Sequence, residues 1–549
     1  MLHLHLYVGR APTALTQLAD PYRPELNRAF VAGINDDVLY HGRLYFIWGP
    51  APALVLLVPL HLLGYEPSAS VTVGVYSIVG LGFALATLRV LVKQIGDVPM
   101  WMCAIAGLAL SLSSAIPFLL RTPSVSEDIL AGGYCFMMAG VWLTVVALTS
   151  RRASVPRLAL MSLCFGLAAG SRPTLGLGAL VLIPVYLRLR PNRSRQSLLL
   201  SLGLPIAVCF VLLLGYNQAR FHQPFEIGSH YQLTGYDSRT APLGRLSYAL
   251  PGAWLYVISP PQPMIVFPFI ALSRPQAAYP RAIGPPEITG GLLPMAPIVA
   301  FVAALPWIWR RRPALLGTLA APFMVLAGAG MAMMLVAAYE LFASTERYEV
   351  DFATLFLLGG VAAWLALSMG PPSRRRRLLR VVGGVLAAWG CIAGLATSFF
   401  GYGDFLAVQH PGTWRTLEDL GSPVSTAIAD LAGRPLLAAT FMSLDIGESE
   451  YLLGLHEQGE LTIVSPGTRT ATLRAQVELL PGTRYGLGIK GPGGTTSDYA
   501  PASGRTFDLR VRLDDGLNHL TLYPLQTSAE PPTNGPVMRV SDLSLASGP

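Results

Sequence analysis

Charge is scarce in this sequence. Charged residues make up 13% of the 549 positions, about half the share that soluble domains carry, which argues against a string of soluble domains. Cysteine is scarce too. All five (Cys103, Cys135, Cys164, Cys209 and Cys391) lie in apolar runs, so neither a disulfide framework nor a spaced metal site is indicated, and they read as small buried hydrophobes. There is no His-Glu-x-x-His, no Cys pair and no phosphate-cradling glycine loop, since GGYCFMMAGVW lies inside an apolar run. No metal centre and no nucleotide site is expected from motifs of that kind. The net charge of +8 is gathered into short arginine clusters rather than spread over one face, which excludes nucleic acid as the natural partner.

Long apolar runs are abundant: 52% of residues are hydrophobic and the mean hydropathy is +0.49. A membrane helix needs about 20 mostly apolar residues. Eight runs meet this, at 70–92, 100–120, 129–149, 197–216, 292–309, 314–341, 352–370 and 379–400. A ninth stretch, 158–187, is broken by Gly170-Ser171-Arg172-Pro173-Thr174 and reads as a hairpin of two helices of about 14 residues, ~21 Å apiece. The expectation is a polytopic α-helical membrane protein of about 10 spans plus interfacial helices.

Arginine placement sets the expected orientation. Arg151, Arg152 and Arg157, Arg188 to Arg195, Arg310 to Arg312, and Arg374 to Arg380 should all face the cytoplasm. Loops 121–128, 217–291 and 342–351, the residue Arg172 and the tail from 401 then fall outside. The run 46–64 carries Pro50, Pro52 and Pro59 and begins with aromatics, which favours an interfacial helix and an external residue 1–69 segment. Either a first helix upstream is missing or the helix from 70 serves as a signal anchor.

From about 430 the pattern changes to alternating strands such as ATLRAQVEL and TFDLRVRL, divided by turns including Asp514-Asp515-Gly516. This predicts a β-sandwich over 431–549, joined to the membrane domain 1–400 by a linker, 401–430.

Candidate chemistry gathers on the outer side. Asp20, Asp36 and Asp37 precede the 46–64 run, and a carboxylate held there suits deprotonation of a hydroxyl nucleophile; equally, Asp20-Pro21 and Asn35-Asp36 suit turns. Glu127 and Asp128 open the helix from 129, where acids also complement the helix dipole. Arg172 at membrane depth is a functional candidate or snorkels to phosphates. Arg220 and Arg347, the latter followed by Tyr348, sit beside aromatics and carboxylates and fork onto a phosphate or pair locally, Arg220 with Glu226 and Arg347 with Glu346 or Asp351.

This pattern resembles the GT-C superfamily of membrane glycosyltransferases over roughly residues 15–400, through Asp36 or Asp37 before GPAPAL, through Glu127 and Asp128, through Arg347-Tyr348 and through GLAAGSRPT. The superfamily's first transmembrane helix has no counterpart here, and Asn35-Asp36-Asp37 stands where a plain acidic signature is usual. The tail resembles jelly-roll carbohydrate-binding modules, through DLRVRLDDGLNHLTLYPL and VMRVSDLSL. The resemblance implies an inverting enzyme of the plasma (inner) membrane with an external C-terminal domain. It would move a sugar from a polyprenyl-phosphate donor to a cell-envelope glycan or lipid acceptor, with Asp36 or Asp37 as base. Glu127 or Asp128 would orient a sugar, Arg172, Arg220 and Arg347 would neutralise the leaving phosphate, and Asp20 and Tyr348 would complete the substrate-binding set. No cofactor is called for, a divalent metal staying open. The competing reading is a polyprenyl-lipid carrier, flippase or non-catalytic envelope-assembly protein, but the spans carry almost no charge to line a path through the bilayer.

Overall fold

The computed structural model describes residues 9–27, 37–121, 123–150, 153–234, 244–272, 288–339 without 312, 345–399, 410–441, 459–479, 485–499 without 493, 505–526 and 536–547, with short pieces at 30, 237, 239–240, 406, 444–445 and 450–454. It divides into two compact units, Met1–Pro261 with Ser273–Ser398, and Gln262–Leu272 with Phe399–Pro549.

In the first unit a small antiparallel sheet joins β1 (Gly9–Arg10), β2 (Asp37–Tyr40) and β3 (Arg43–Phe46) in the order β1-β3-β2. The helices that follow are α1 (Ala53–Leu62), α2 (Ala69–Ile95), α3 (Met100–Leu112), α4 (Ile116–Arg121), α5 (Val125–Thr149), α6 (Val155–Ser171) and α7 (Pro173–Asn192). After them come α8 (Arg195–Phe221), α9 (Leu246–Val257), α10 (Pro297–Ile308), α11 (Pro313–Tyr339), α12 (Ala353–Ser368) and α13 (Arg374–Ser398). Among the described residues α2, α5, α7, α8, α11 from Leu319, and α13 are long and apolar enough to cross a membrane.

Two helices form the centre. The most apolar stretch of α5 is 89% buried, against 17% in α8 and 22% in α13, and every residue of α12 is buried. A helix apolar on all sides belongs inside a bundle or in lipid. α8 and α13 turn Val211, Leu212, Val385 and Ile392 outward.

Several runs fold differently from the sequence expectation. Run 100–120 is two helices, broken at Ser113-Ser114-Ala115. The backbone of α13 presses on the break, for a Cβ at Gly394 would lie 1.9 Å from the Leu112 carbonyl oxygen. Run 292–309 is a single turn, Leu292–Met295, followed by α10, whose first part, Pro297–Ala304, is a 3₁₀ helix; Pro294 and Pro297 restrict the backbone there. The hairpin bends at Arg172 as expected, but its arms are longer, 17 residues in α6 and 20 in α7, because Pro173 opens a 3₁₀ turn that feeds directly into more helix. In 46–64, β3 ends at Phe46 and the helical part, Ala53–Leu62, is ~15 Å long, half a hydrocarbon core. The last helix begins at Arg374, ahead of its apolar run, since arginine is a good helix former.

In the second unit β4 (Gln262–Pro263) and β5 (Ile270–Ala271) form a hairpin. The stretch read as a linker contains α14 (Pro411–Ala432), which buries Trp414, Glu418, Ser425 and Ala429 on one face. The strands are β6 (Leu436–Phe441), β7 (Leu444–Asp445), β8 (Glu450–Gly454), β9 (Gly459–Ser465), β10 (Arg469–Leu479), β11 (Tyr485–Gly491), β12 (Gly494–Tyr499), β13 (Arg505–Leu513), β14 (Gly516–Gln526) and β15 (Pro536–Ser547). They make two antiparallel five-stranded sheets, β13-β10-β15-β8-β7 and β12-β11-β14-β9-β6. Inward residues of both, among them Leu461, Leu473, Ile489, Phe507 and Leu522, form one apolar cluster, as period-two alternation requires.

Candidate active site

The expected base lies in the segment leading into β2. Asp36 falls outside the described residues. Asp37 opens β2 with its side chain buried, opposite Phe46 of β3, and its carbonyl accepts from the Leu233 N–H at 2.8 Å. Arg220, near the end of α8, donates to the Phe46 carbonyl at 2.9 Å and to Asn217 Oδ1 at 3.0 Å, and lies over the Tyr216 and Phe221 rings at 4.0 and 4.5 Å. It therefore fastens β3 to α8. Its pairing with Glu226 does not form; that carboxylate accepts from the Gly228 N–H and contacts His230 Nδ1, both at 2.6 Å.

Three residues after Phe46, the Gly49 N–H donates to the Ser171 carbonyl at 3.2 Å, immediately before Arg172. A Cβ at Gly49 would lie 2.1 Å from the Gly170 carbonyl oxygen, so only glycine permits this approach. The Tyr76 hydroxyl then ties α2 to the Pro52 carbonyl at 2.6 Å. The segment from Asp37 to α1 is thus pinned against the bend at Arg172.

Around that bend five residues form a continuous chain. Ser124 caps α5 by accepting from the Ser126 N–H. The Ser124 hydroxyl also donates to Glu127, as does the Ser126 hydroxyl at 2.8 Å. Arg347 meets Glu127 Oε1 and the Ser126 hydroxyl, each at 3.4 Å, and its guanidinium carbon is 5.6 Å from the Tyr348 ring centre. Arg172 lies over the same ring at 4.2 Å and pairs with Asp351 at 2.6 Å. Glu127, Arg347, Tyr348, Arg172 and Asp351 therefore run in sequence across the ends of three elements, with Asp128 fully buried beside Glu127. Both central helices, α5 and α12, begin here, so their positive dipole ends add to two guanidinium groups. Each guanidinium is met by a carboxylate, Arg347 by Glu127 and Arg172 by Asp351.

The partners differ from the local pairs read in sequence: Arg347 goes to Glu127 and Asp351 to Arg172. Residues 123–128, 345–351 and Arg172, whose segments the sequence reading expected on one side of the membrane, meet here.

Glu349 belongs to no motif that the sequence offers. Glu346–Asp351 is a 3₁₀ helix, in which residues three apart share a face, so Glu346 and Glu349 stand together and Tyr348 and Asp351 together. Glu346 accepts from the Gly290 N–H at 2.8 Å, and burial pushes its carboxyl up to about 7. Glu349 is buried and held well above the ordinary carboxylate range by burial and by Glu346. Burial also raises Asp351, against the opposing pull of Arg172. The acid pair at i and i+3 in ERYEVD was the available signal.

Asp20 stands apart from this chain. It accepts from Arg239 at 2.7 Å and from the Tyr22 N–H at 3.1 Å, and the Arg239 hydrogen bond lowers its carboxyl. Among the described residues no three His, Cys, Asp or Glu side chains are grouped to hold a metal.

No family model and no curated protein matches the chain. Among solved structures, the crystal structure of ArnT from Cupriavidus metallidurans bound to undecaprenyl phosphate is similar over 72% of this chain and 72% of that one, at 16% identity and a TM-score of 0.35. The Archaeoglobus fulgidus oligosaccharyltransferase in its apo form is similar over 66% of this chain and 49% of its own, at 12% identity and a TM-score of 0.37. This chain spans about half the length of the oligosaccharyltransferase.

Proposed function

We propose that this chain is a membrane glycosyltransferase that moves a sugar from a polyprenyl-phosphate donor to a glycan or lipid acceptor on the outer face of the plasma membrane. The observation that carries this reading is the pair of guanidinium groups, Arg172 and Arg347, on one tyrosine ring at the converging starts of α5 and α12. In the reaction Asp37, or its neighbour Asp36, takes the proton of an acceptor hydroxyl. That oxygen attacks the anomeric carbon, the bond from this carbon to the phosphate oxygen breaks, and its electron pair leaves with the polyprenyl phosphate. Attack opposite the leaving group inverts the anomeric centre. The phosphate is a weak base at neutral pH, so it needs neutralising charge rather than a general acid. Arg172 and Arg347 supply that charge, Glu127 or Asp128 holds a sugar hydroxyl, and the C-terminal unit gathers a polymeric acceptor near the membrane.

The test is transfer of radiolabelled sugar from polyprenyl-phosphate donors in isolated membranes. Wild-type membranes should transfer label, and Arg347→Lys, which keeps the charge but loses the planar fork, should slow turnover by about 10². Absence of transfer from every such donor, or full activity in Arg347→Ala, would overturn the reading.

A further inference from the structure

The opposite end of α12 carries a feature that sugar transfer does not use. Between α10, the end of α12 and α13 lies an open groove of about 340 Å³. Phe301, Ala304, Leu367 and Leu386 give it apolar walls, and Trp307 and Arg375 stand along it. The Arg375 guanidinium carbon lies 4.4 Å from the Trp307 ring centre. Its neighbours are engaged differently. Arg376 donates to the Pro371 carbonyl, and Arg380 Nε donates to the Ser368 carbonyl at 3.2 Å, capping the end of α12. Among the described residues no carboxylate or carbonyl takes the N–H groups of Arg375, which leaves them available for a ligand. Beyond the groove, Val381, Val385 and Ile392 of α13 are exposed, as on a helix that faces lipid.

An apolar slot beside an available guanidinium on an aromatic ring matches an amphiphile with one hydrocarbon chain and a phosphate oxygen. Arg375 is one of four consecutive arginines, Arg374 to Arg377, in the first turn of α13. Positive charge of that density suits a whole negatively charged leaflet surface rather than one isolated phosphate. We propose that the groove binds an acyl chain of an anionic bilayer phospholipid whose phosphate rests on Arg375. The site is separate from the candidate active site: the 16 residues of α12 put ~24 Å between it and Asp351.

The experiment uses the full chain in nanodiscs of phosphatidylcholine containing a small fraction of brominated-acyl phosphatidylglycerol or, in parallel, brominated-acyl phosphatidylcholine. Bromine quenches tryptophan on contact. The chain has nine tryptophans, so the Trp307 signal is the difference between wild type and Trp307→Phe. Phosphatidylglycerol should quench Trp307 at about fivefold lower mole fraction than phosphatidylcholine. Arg375→Gln should remove that preference, and Ala304→Phe, which fills the slot, should weaken quenching by both lipids. Equal quenching by the two lipids, or a preference that survives Arg375→Gln, overturns the proposal. So does relief of quenching by unlabelled polyprenyl phosphate at lower concentration than by unlabelled phosphatidylglycerol, which would assign the groove to the polyprenyl lipid.

Discussion

Arg172 and Asp351 meet at 2.6 Å although 179 residues separate them in the chain. The pair closes the bend after α6 onto the 3₁₀ helix that leads into α12, with side-chain exposures of only 11% and 5%. Removing one partner of such a pair strands a buried charge and costs about 3–5 kcal/mol, whereas replacing both by apolar residues costs far less. Asp351→Ala should therefore destabilise the purified protein more than the double change Arg172→Met with Asp351→Leu does. Thermal unfolding in detergent reads the difference. Equal loss in the single and double variants would mean that the pair is not the lock described here.

Asp37 and Asp20 should behave differently in transfer assays. Asp37 is the proposed proton acceptor with Asp36, and Asp36→Asn with Asp37→Asn should lower turnover by about 10² or more. Asp20 is engaged by Arg239, and Asp20→Asn should leave turnover within about twofold, far short of a general-base loss. A wild-type rate in the Asp36/Asp37 double variant would move the search for the base to Glu127 and Asp128.

The Glu346 and Glu349 carboxyls make stability depend on pH. The unfolded chain releases such protons near 4.5, whereas folded Glu346 keeps its proton to about 7 and Glu349 is also held well above the ordinary range. Within this window the unfolded state binds fewer protons, so stability falls as pH rises. Glu346→Gln retains an acceptor for the Gly290 N–H and should flatten the decline. Unfolding midpoints at pH values on either side of the window decide the matter, and an unchanged slope in both Glu346→Gln and Glu349→Gln would refute it.

In the second unit His519 bridges Glu418 and Asp419 of α14, each at 3.3 Å. Burial pushes the imidazole down, but the two carboxylates outweigh it and the net shift is upward. The stabilisation is complete below the ordinary value of 6.5 and is lost as pH rises through the higher folded value. Hydrogen exchange across 411–432, corrected for its intrinsic pH dependence, should quicken over that rise in the wild type. In His519→Gln it should show no such step.

The long helices of the first unit are legible in sequence because lipid-facing and bundle-facing residues alike must be apolar, and Arg172-Pro173 marks its bend by residue type alone. The break at Ser113 is not legible, because it answers to Gly394, far along the chain. Helix α14 escapes notice because two of its four buried positions, Glu418 and Ser425, are polar and blur the period. In the candidate site the residue types Glu127, Arg172, Arg347 and Tyr348 are readable from their places at span ends. Their pairing is not, since ion pairs over such separations leave no local pattern.

The hairpin Gln262–Leu272 has a further consequence. Its Val266 packs with Trp414, Ala429 and Val464, and its Phe267 ring meets Phe399 and Trp414 at 5.0 and 6.1 Å. At about 5–20 residues per second of synthesis, Phe399 is made roughly 6–25 s after the hairpin. During that interval these side chains have left the ribosome without the helix and strands that will cover them. The hairpin is therefore made well before the residues that cover it. A chain ended at Ser398 would keep that wait indefinitely, so the two units separate cleanly only if residues 262–272 leave with the tail.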